Sequence, residues 1–322
     1  MNSPTPTPTS DGRARVPTLV VDAVHNGPTA SSDDNWFILA PDVSRWDPFI
    51  LLVEDEFSTR GFPWHPHRGF QTLTYVLDGR LEHRDNAGGG GVLGRGDAQY
   101  MVAGRYAMHY ELAHALKPVR TLQAWINLPA FDKLGPTSYV DLPRAAATRV
   151  DQPGVNARLH VGSVAGYAGA AEDQFKVPIT LLDAELERSA SFIHEVPGDH
   201  AVAVHVIEGA VRVAAERTLV EARQTAWFDA EQDGNTSIAI EAEADAYIIA
   251  YSGRPVRESV VFGGPFLMNT EQENAQALAE FRAGRFGAIP DDPTATDAAT
   301  RPRWRTRAHT LPTSVTTRRL SP

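Results

Sequence analysis

The 322-residue chain contains no cysteine. That absence excludes a disulfide framework, a thiolate metal site, an iron–sulfur cluster and a cysteine nucleophile, so any metal must be held by imidazole and carboxylate. Long apolar runs are missing too. The most apolar stretches, such as Trp36-Phe37-Ile38-Leu39-Ala40, are strand-sized, far short of the ~18 residues that cross a membrane as a helix. Residues 1–16 alternate Pro, Thr and Ser without the apolar segment of a secretory signal, so a soluble cytoplasmic protein is expected. Without such a signal, the glycosylation-type tripeptide Asn235-Thr236-Ser237 carries no meaning. No Gly-x-Ser-x-Gly elbow supports serine hydrolysis. Gly88 to Gly91 are followed by no Lys-Ser or Lys-Thr, which makes them a hairpin turn rather than a phosphate cradle.

Charge is unevenly spread. The chain carries a net charge of −10, whereas the first seventeen residues and residues 290–322 together carry a net of four positive charges, leaving −14 for the body between them. A body so acidic repels phosphate backbones, so no direct nucleic-acid binding is expected. The C-terminal arginines, among them Arg301, Arg303, Arg305 and Arg307, read as a solvated extension.

The text from Thr18 to about Pro143 is strand-like. Phe49-Ile50-Leu51-Leu52-Val53, Thr72 to Leu77, Tyr100 to Ala103 and Thr121 to Ile126 are each rich in β-branched, aromatic or aliphatic residues and bounded by turn formers. Asp78-Gly79 supplies a hairpin turn between two of them, and Glu208-Gly209 repeats the device about 130 residues later. This self-similarity predicts a duplicated β-domain. The expected organisation is a tail over 1–17, a first domain over 18–145, a second over 146–289 and a tail over 290–322. One helix is expected near the end: Thr270 and Glu273 form a capping-box pair and Gly284 stops it.

The densest chemistry lies in Gly61-Phe62-Pro63-Trp64-His65-Pro66-His67-Arg68-Gly69-Phe70. In an extended chain alternate side chains share a face, so His65 and His67 project together, about 7 Å apart along the backbone, and can chelate one ion. His109-Tyr110-Glu111 repeats the spacing with a carboxylate. Three imidazoles and a carboxylate suit Fe(II), Mn, Ni, Cu or Zn; on an octahedral ion they leave two adjacent positions open, whereas on tetrahedral zinc they close a structural site.

These residues resemble the pirin family of the cupin superfamily. The resemblance runs through Asp47 to Leu52, Gly61 to Pro63, His65 to Phe70, Thr74 to Gly79, His83-Arg84-Asp85, Gly96 to Met101, Ala103-Gly104-Arg105, His109, Glu111, Leu122-Gln123, Trp125 to Pro129 and Lys133. Gly264 to Thr270 and Arg282 to Gly287 continue it to the end of the second half. It implies an all-β double cupin, two β-barrels face to face with a short C-terminal helix. It also implies one metal, usually iron as Fe(II), in the first barrel on His65, His67, His109 and Glu111, with Glu111 as ligand, catalytic base or both. The implied activity is quercetinase-like: O2 opens a flavonol or related phenolic and carbon monoxide leaves. The alternative is a metal-dependent regulatory protein, without turnover, that binds a transcription factor or metabolic enzyme; a monomer is expected in either case. Phe57, Gln99, Tyr106 and Gln123 are expected to line the substrate pocket, with Tyr106 narrowing its mouth. The sequence departs from the family in Gln71, Tyr106-Ala107 and Tyr110 and in one extra residue within Leu52 to Phe57. Glu195 and Pro197 fall at the positions of His65 and His67 in the second repeat, so that barrel is expected to hold no metal, and His194, His200 and His205 are read as ordinary core or surface residues.

Overall fold

A computed structural model describes residues 13–39, 42–164, 166–170, 174–231, 234–288 and 317–319. The chain forms two antiparallel β-barrels, each a curved larger sheet closed by a smaller one. In the first, a seven-stranded sheet runs Ser138–Leu142, Ala98–Val102, Phe70–Asp78, Val119–Asn127, Phe49–Phe57, Asp34–Leu39 and Val24–His25 in spatial order. Facing it is a four-stranded sheet in the order Gly61–His67, Ala107–Ala113, Arg80–Asp85, Gly90–Gly94. The central sequence of the second barrel's larger sheet is Val155–Val161, Ile179–Leu186, Ala246–Gly253, Ala201–Glu208, Gln224–Phe228.

Period-two alternation decides what each strand buries. Along Phe70–Asp78, Leu73, Tyr75 and Leu77 point away from their own barrel into an apolar layer shared with Leu181, Ala203, Trp227, Ile249 and Tyr251 of the second. Aromatic rings lock the layer: Trp46 meets Trp227 edge-on at 5.0 Å, and the Tyr75 and Tyr247 hydroxyls share a 2.8 Å hydrogen bond. Edge-on ring pairs of this kind are each worth ~0.5–1.5 kcal/mol beyond the area they bury. The intervening residues Thr72, Thr74 and Val76 face the interior of the first barrel.

The duplication read from the hairpins is present in three dimensions. Gly79 and Gly209 both adopt positive φ, +78° and +77°, and a Cβ at either would lie 2.2 or 2.0 Å from a backbone oxygen, of Pro118 and Asp245 respectively. Only glycine fits there.

The ends differ from the expected organisation. Arg13–Ala14, assigned to a tail, pairs in parallel with Thr236 and Ser237 of the second barrel, and Leu19–Asp22, assigned to the first domain, pairs with Gln224–Phe228 of the second. The sheet offers the reason: Ala210–Val213 covers only Ile240 to Ala242 of strand Asn235–Ala242, leaving an open edge for the N-terminal arm. Arg15 then buries its guanidinium, donating to the carbonyl oxygens of His200 (3.0 Å) and Asp229. Within the expected C-terminal tail, Thr317–Arg319 adds an antiparallel strand to Leu19–Asp22; Arg301, Arg303, Arg305 and Arg307 lie outside the described residues. Between the barrels the chain crosses from Leu142 to Thr148.

The helix Glu271–Arg282 forms with its capping box complete: Thr270 Oγ1 accepts from Glu273 N at 3.2 Å and the Glu273 carboxylate accepts from Thr270 N at 2.9 Å. It does not pack on its own barrel alone. Ala277, with Phe266 and Phe286, covers the outer face of the first barrel's smaller sheet at Trp64, Met108 and Tyr110.

Candidate metal centre

The inner face of that smaller sheet is a polar row inside an otherwise apolar body. His65 pairs directly with His109 across two strands, while Glu111 is opposite Phe62 because the register shifts between His109 and Glu111. The shift is taken up around Pro63 and Trp64, where three residue steps on one strand match two on its neighbour, a bulge that re-aims the side chains beside it. On the other flank, His109 is opposite Asp85 and Glu111 is opposite His83.

His65, His67 and His109 come together. Their ligand-type nitrogens all lie within 4.8 Å of one another, and among the described residues they are the one group of three such side chains able to share an ion. The ring centroids stand 4.3 Å (His65–His109), 4.6 Å (His65–His67) and 5.0 Å (His67–His109) apart. Two of the rings are oriented from behind. His65 Nδ1 donates to the Pro63 carbonyl oxygen at 2.8 Å and His67 Nδ1 to the Pro265 carbonyl oxygen at 3.4 Å, which leaves each Nε2 lone pair for an ion. Both nitrogens of buried His109 lack any hydrogen-bond partner. Burial, reinforced by the neighbouring imidazoles, holds His67 and His109 well below the usual histidine range, so both are neutral. Neutral His67 and His109, converging with His65, are the donor chemistry a first-row transition metal takes, and the residues fit such an ion.

Glu111 does not join this cluster. Its carboxylate accepts from Gln123 Nε2 at 3.2 and 3.0 Å and from Thr74 Oγ1 at 3.3 Å, both from the facing sheet. The unbroken pairing with Arg80–Asp85 sets Glu111 beside His83. Burial raises its pKa, opposed by His83 and by these hydrogen bonds. A carboxylate offers about four lone-pair directions, so Glu111 keeps acceptor capacity toward the histidines.

The four residues expected to line the pocket part company. Gln123 is at the centre, bridging Glu111, Thr74 and Trp125, whose indole N–H donates to Gln123 Oε1 at 2.8 Å. Gln99 lies further along the facing sheet, donating to Asp141 at 2.7 Å. Phe57 is packed with Val76, Leu81, Leu93, Ala113 and Val119 at one end of the barrel, and touches the site only through Phe62, the ring between it and His65. Tyr106 does not narrow a mouth: its ring packs against Phe286 at 5.3 Å and under the Arg68 guanidinium at 5.1 Å, on the outer face beneath the C-terminal helix.

Other residues at the site had no role assigned from sequence. His83 and Asp85 line the row beside His109, and period-two alternation within His83-Arg84-Asp85 was a signal for it. Trp125 stands 5.6 Å from His67, ring to ring. Tyr139, 5.0 Å from His83 and 6.3 Å from His109, follows a loop and carries no local pattern that points inward. An open cleft of about 540 Å³ adjoins the same sheet, lined by Trp64, His114 and the two strands and turn from Glu82 to Asp85 and Gly88 to Val92, so that it reaches His83 and Asp85 but none of the three clustered histidines.

The second barrel is filled differently. Leu159, Leu182, Phe192, Val204, Val211, Phe228 and Ile238 occupy its interior. Glu195 and Pro197 are half-buried, while the alternate positions are buried and held by Phe192, by His194 stacked on it, and by Val196.

Residues 31–126 match the family model described as Pirin, and residues 181–287 match the one described as Pirin C-terminal cupin domain. The chain belongs to the pirin family. Human pirin is 30% identical over 253 residues, covering 77% of this chain and 85% of that protein. A Pseudomonas aeruginosa pirin relative, provisionally named a quercetin 2,3-dioxygenase, is 34% identical over 258 residues, 76% of this chain and 88% of its own. Among solved structures, the Acinetobacter baumannii protein titled quercetin 2,3-dioxygenase superposes with a TM-score of 0.77 at 28% identity, covering 86% of this chain and all of that one. An Escherichia coli bacterial pirin in complex with nickel(II) shares the fold, with a TM-score of 0.57 at 19% identity over 73% of this chain and 98% of its own. The pirin double cupin is thus shown for this chain, and its first barrel carries the three-histidine cluster.

Proposed function

We propose that this pirin is a mononuclear iron-dependent dioxygenase that uses O2 to open a flavonol or a related phenolic. The observation that carries the reading is the convergence of three imidazoles beside a buried carboxylate that is held in place by Gln123 and Thr74. His65, His67 and His109 would hold Fe(II), with Glu111 as a further ligand after a small rotation. Bound there, the metal would supply Lewis acidity for the substrate's oxygen and a redox partner for O2.

The protein's own groups do the rest. Glu111 accepts the proton of the substrate hydroxyl; Gln123 and Thr74 fix the carboxylate while it does so, and Trp125 fixes Gln123 in turn. Phe70 and Trp125, beside His67, give an aromatic substrate apolar surface and exclude water. The relatives with quercetin dioxygenase names support the substrate class.

Aerobic incubation of the Fe(II)-loaded protein with quercetin tests it. Loss of flavonol absorbance with release of carbon monoxide, abolished in His65→Ala, is the expected result. Metal-loaded protein that leaves a panel of flavonols and phenols unchanged would contradict it. If that protein captured a partner only in one iron oxidation state, the regulatory reading would take its place.

A further inference from the structure

The site has a second polar half that the proposed chemistry does not use. Among the described residues, Tyr139 buries its hydroxyl without a hydrogen-bond partner, and both ring nitrogens of buried His83 are also without one. Asp85 Oδ2 lies 3.8 Å from His83 Nε2, while Asp85 Oδ1 is held by the backbone N–H groups of Ala87 (2.7 Å) and Gly89 (3.0 Å). These groups are neighbours: the His83 ring stands 5.0 Å from Tyr139 and 5.4 Å from His109. Native interiors leave few buried polar atoms unpaired, and each one costs about 1–3 kcal/mol. Several gathered on one side of a catalytic cavity are most simply accounted for by a ligand that pairs them.

We propose that Tyr139 and His83, braced by Asp85, form a recognition subsite for a hydroxyl group that the ligand carries away from its metal-binding oxygen. This deepens the phenolic reading and rests on it. A hydroxyl offers one donor and two acceptor positions, so it accepts from the Tyr139 O–H and donates to a His83 ring nitrogen. The substrate class is thereby narrowed to polyhydroxylated phenolics. A site built to pair a hydroxyl strongly rejects the analogue lacking it, because the protein groups are then left buried and unpaired.

Anaerobic binding to the Fe(II)-loaded full chain tests the subsite, using quercetin and 3-hydroxyflavone, which lacks quercetin's additional hydroxyls. Wild type is expected to bind quercetin at least about tenfold more tightly, one good hydrogen bond's worth. Tyr139→Phe should remove most of that preference by weakening quercetin alone, with iron content and 3-hydroxyflavone affinity unchanged; His83→Gln should keep part of it. Equal weakening of both ligands in Tyr139→Phe, no weakening of quercetin, or no binding of quercetin to wild type would each overturn the subsite. The readout needs no turnover, so a protein that never opens the flavonol ring can still show it. One that turns flavonols over but keeps its preference in Tyr139→Phe overturns the subsite alone.

Discussion

Gln123 matters because of what it holds. Its amide donates to both oxygens of Glu111, and hydrogen bonds to a charged group are worth about 1.5–3 kcal/mol. Gln123→Leu is therefore expected to lower kcat on a flavonol by roughly tenfold to a hundredfold, with three-histidine metal loading retained; parallel steady-state kinetics and metal analysis check this. Buried histidines elsewhere act on stability instead. Burial pushes His194 and His200 down to about 4 and His205 down to about 3. The unfolded chain takes up protons near pH 6.5 that these folded groups refuse, so their contribution is full above about pH 6.5 and is lost as pH falls toward 4. Asp55, pushed up to about 6 by burial, works in the opposite sense, since its folded form gains a proton first. At pH 5 each histidine costs about 2 kcal/mol and Asp55 returns about 1 kcal/mol. The melting temperature of the metal-free protein should thus fall between pH 7 and pH 5, and His205→Asn should flatten the fall; a pH-independent melting temperature would contradict the burial of these rings.

At the scale of the element, the segment ending in Leu267–Met268 belongs to the metal centre as much as the strand it grips. Pro265 orients His67, the Leu267 N–H donates to Arg68 O at 3.0 Å, and buried Lys133 bridges the Gly69 and Leu267 carbonyl oxygens at 2.7 and 3.0 Å. The approach is so close that a Cβ on Gly69, at φ +86°, would sit 2.3 Å from Leu267 O. From the helix, Glu280 pairs with buried Arg68 at 2.8 Å. Removing one partner of a buried pair leaves an uncompensated charge and costs about 3–5 kcal/mol. Glu280→Ala should lower the melting temperature and weaken metal affinity together, because the loosened strand carries His67; unchanged metal affinity in the less stable variant would separate helix from site. Little of this was readable in the chain. His65-Pro66-His67 and His109-Tyr110-Glu111 announced themselves by local alternation, as did the helix through its capping box. Pairing with Pro265 and Glu280, about 200 residues away, leaves no local pattern, and neither does the bulge near Pro63 or the hold of Gln123 and Thr74 on Glu111. Tyr106 was misplaced for the same reason: its partner Phe286 lies beyond the helix.

For the molecule as a whole, the two barrels are tied by exchange as well as by their shared apolar layer. The N-terminal arm leaves the first barrel's sequence to complete the second barrel's sheets, with Arg15 buried beneath it. The strand-like text from Thr18 onward fits a strand here, but which sheet Leu19–Asp22 joins depends on an open edge that only the assembled fold reveals. A chain beginning at Thr18 should unfold at lower denaturant concentration than the full chain while retaining its metal, since the arm closes the barrel that lacks the histidine cluster. The central claim, that three imidazoles of the first barrel share one transition-metal ion, is tested most directly by metal quantification of iron-loaded, desalted protein beside its His109→Ala variant. One iron per chain in the former and a small fraction of that in the latter is the predicted result. No retained iron, or equal retention by both, would contradict it.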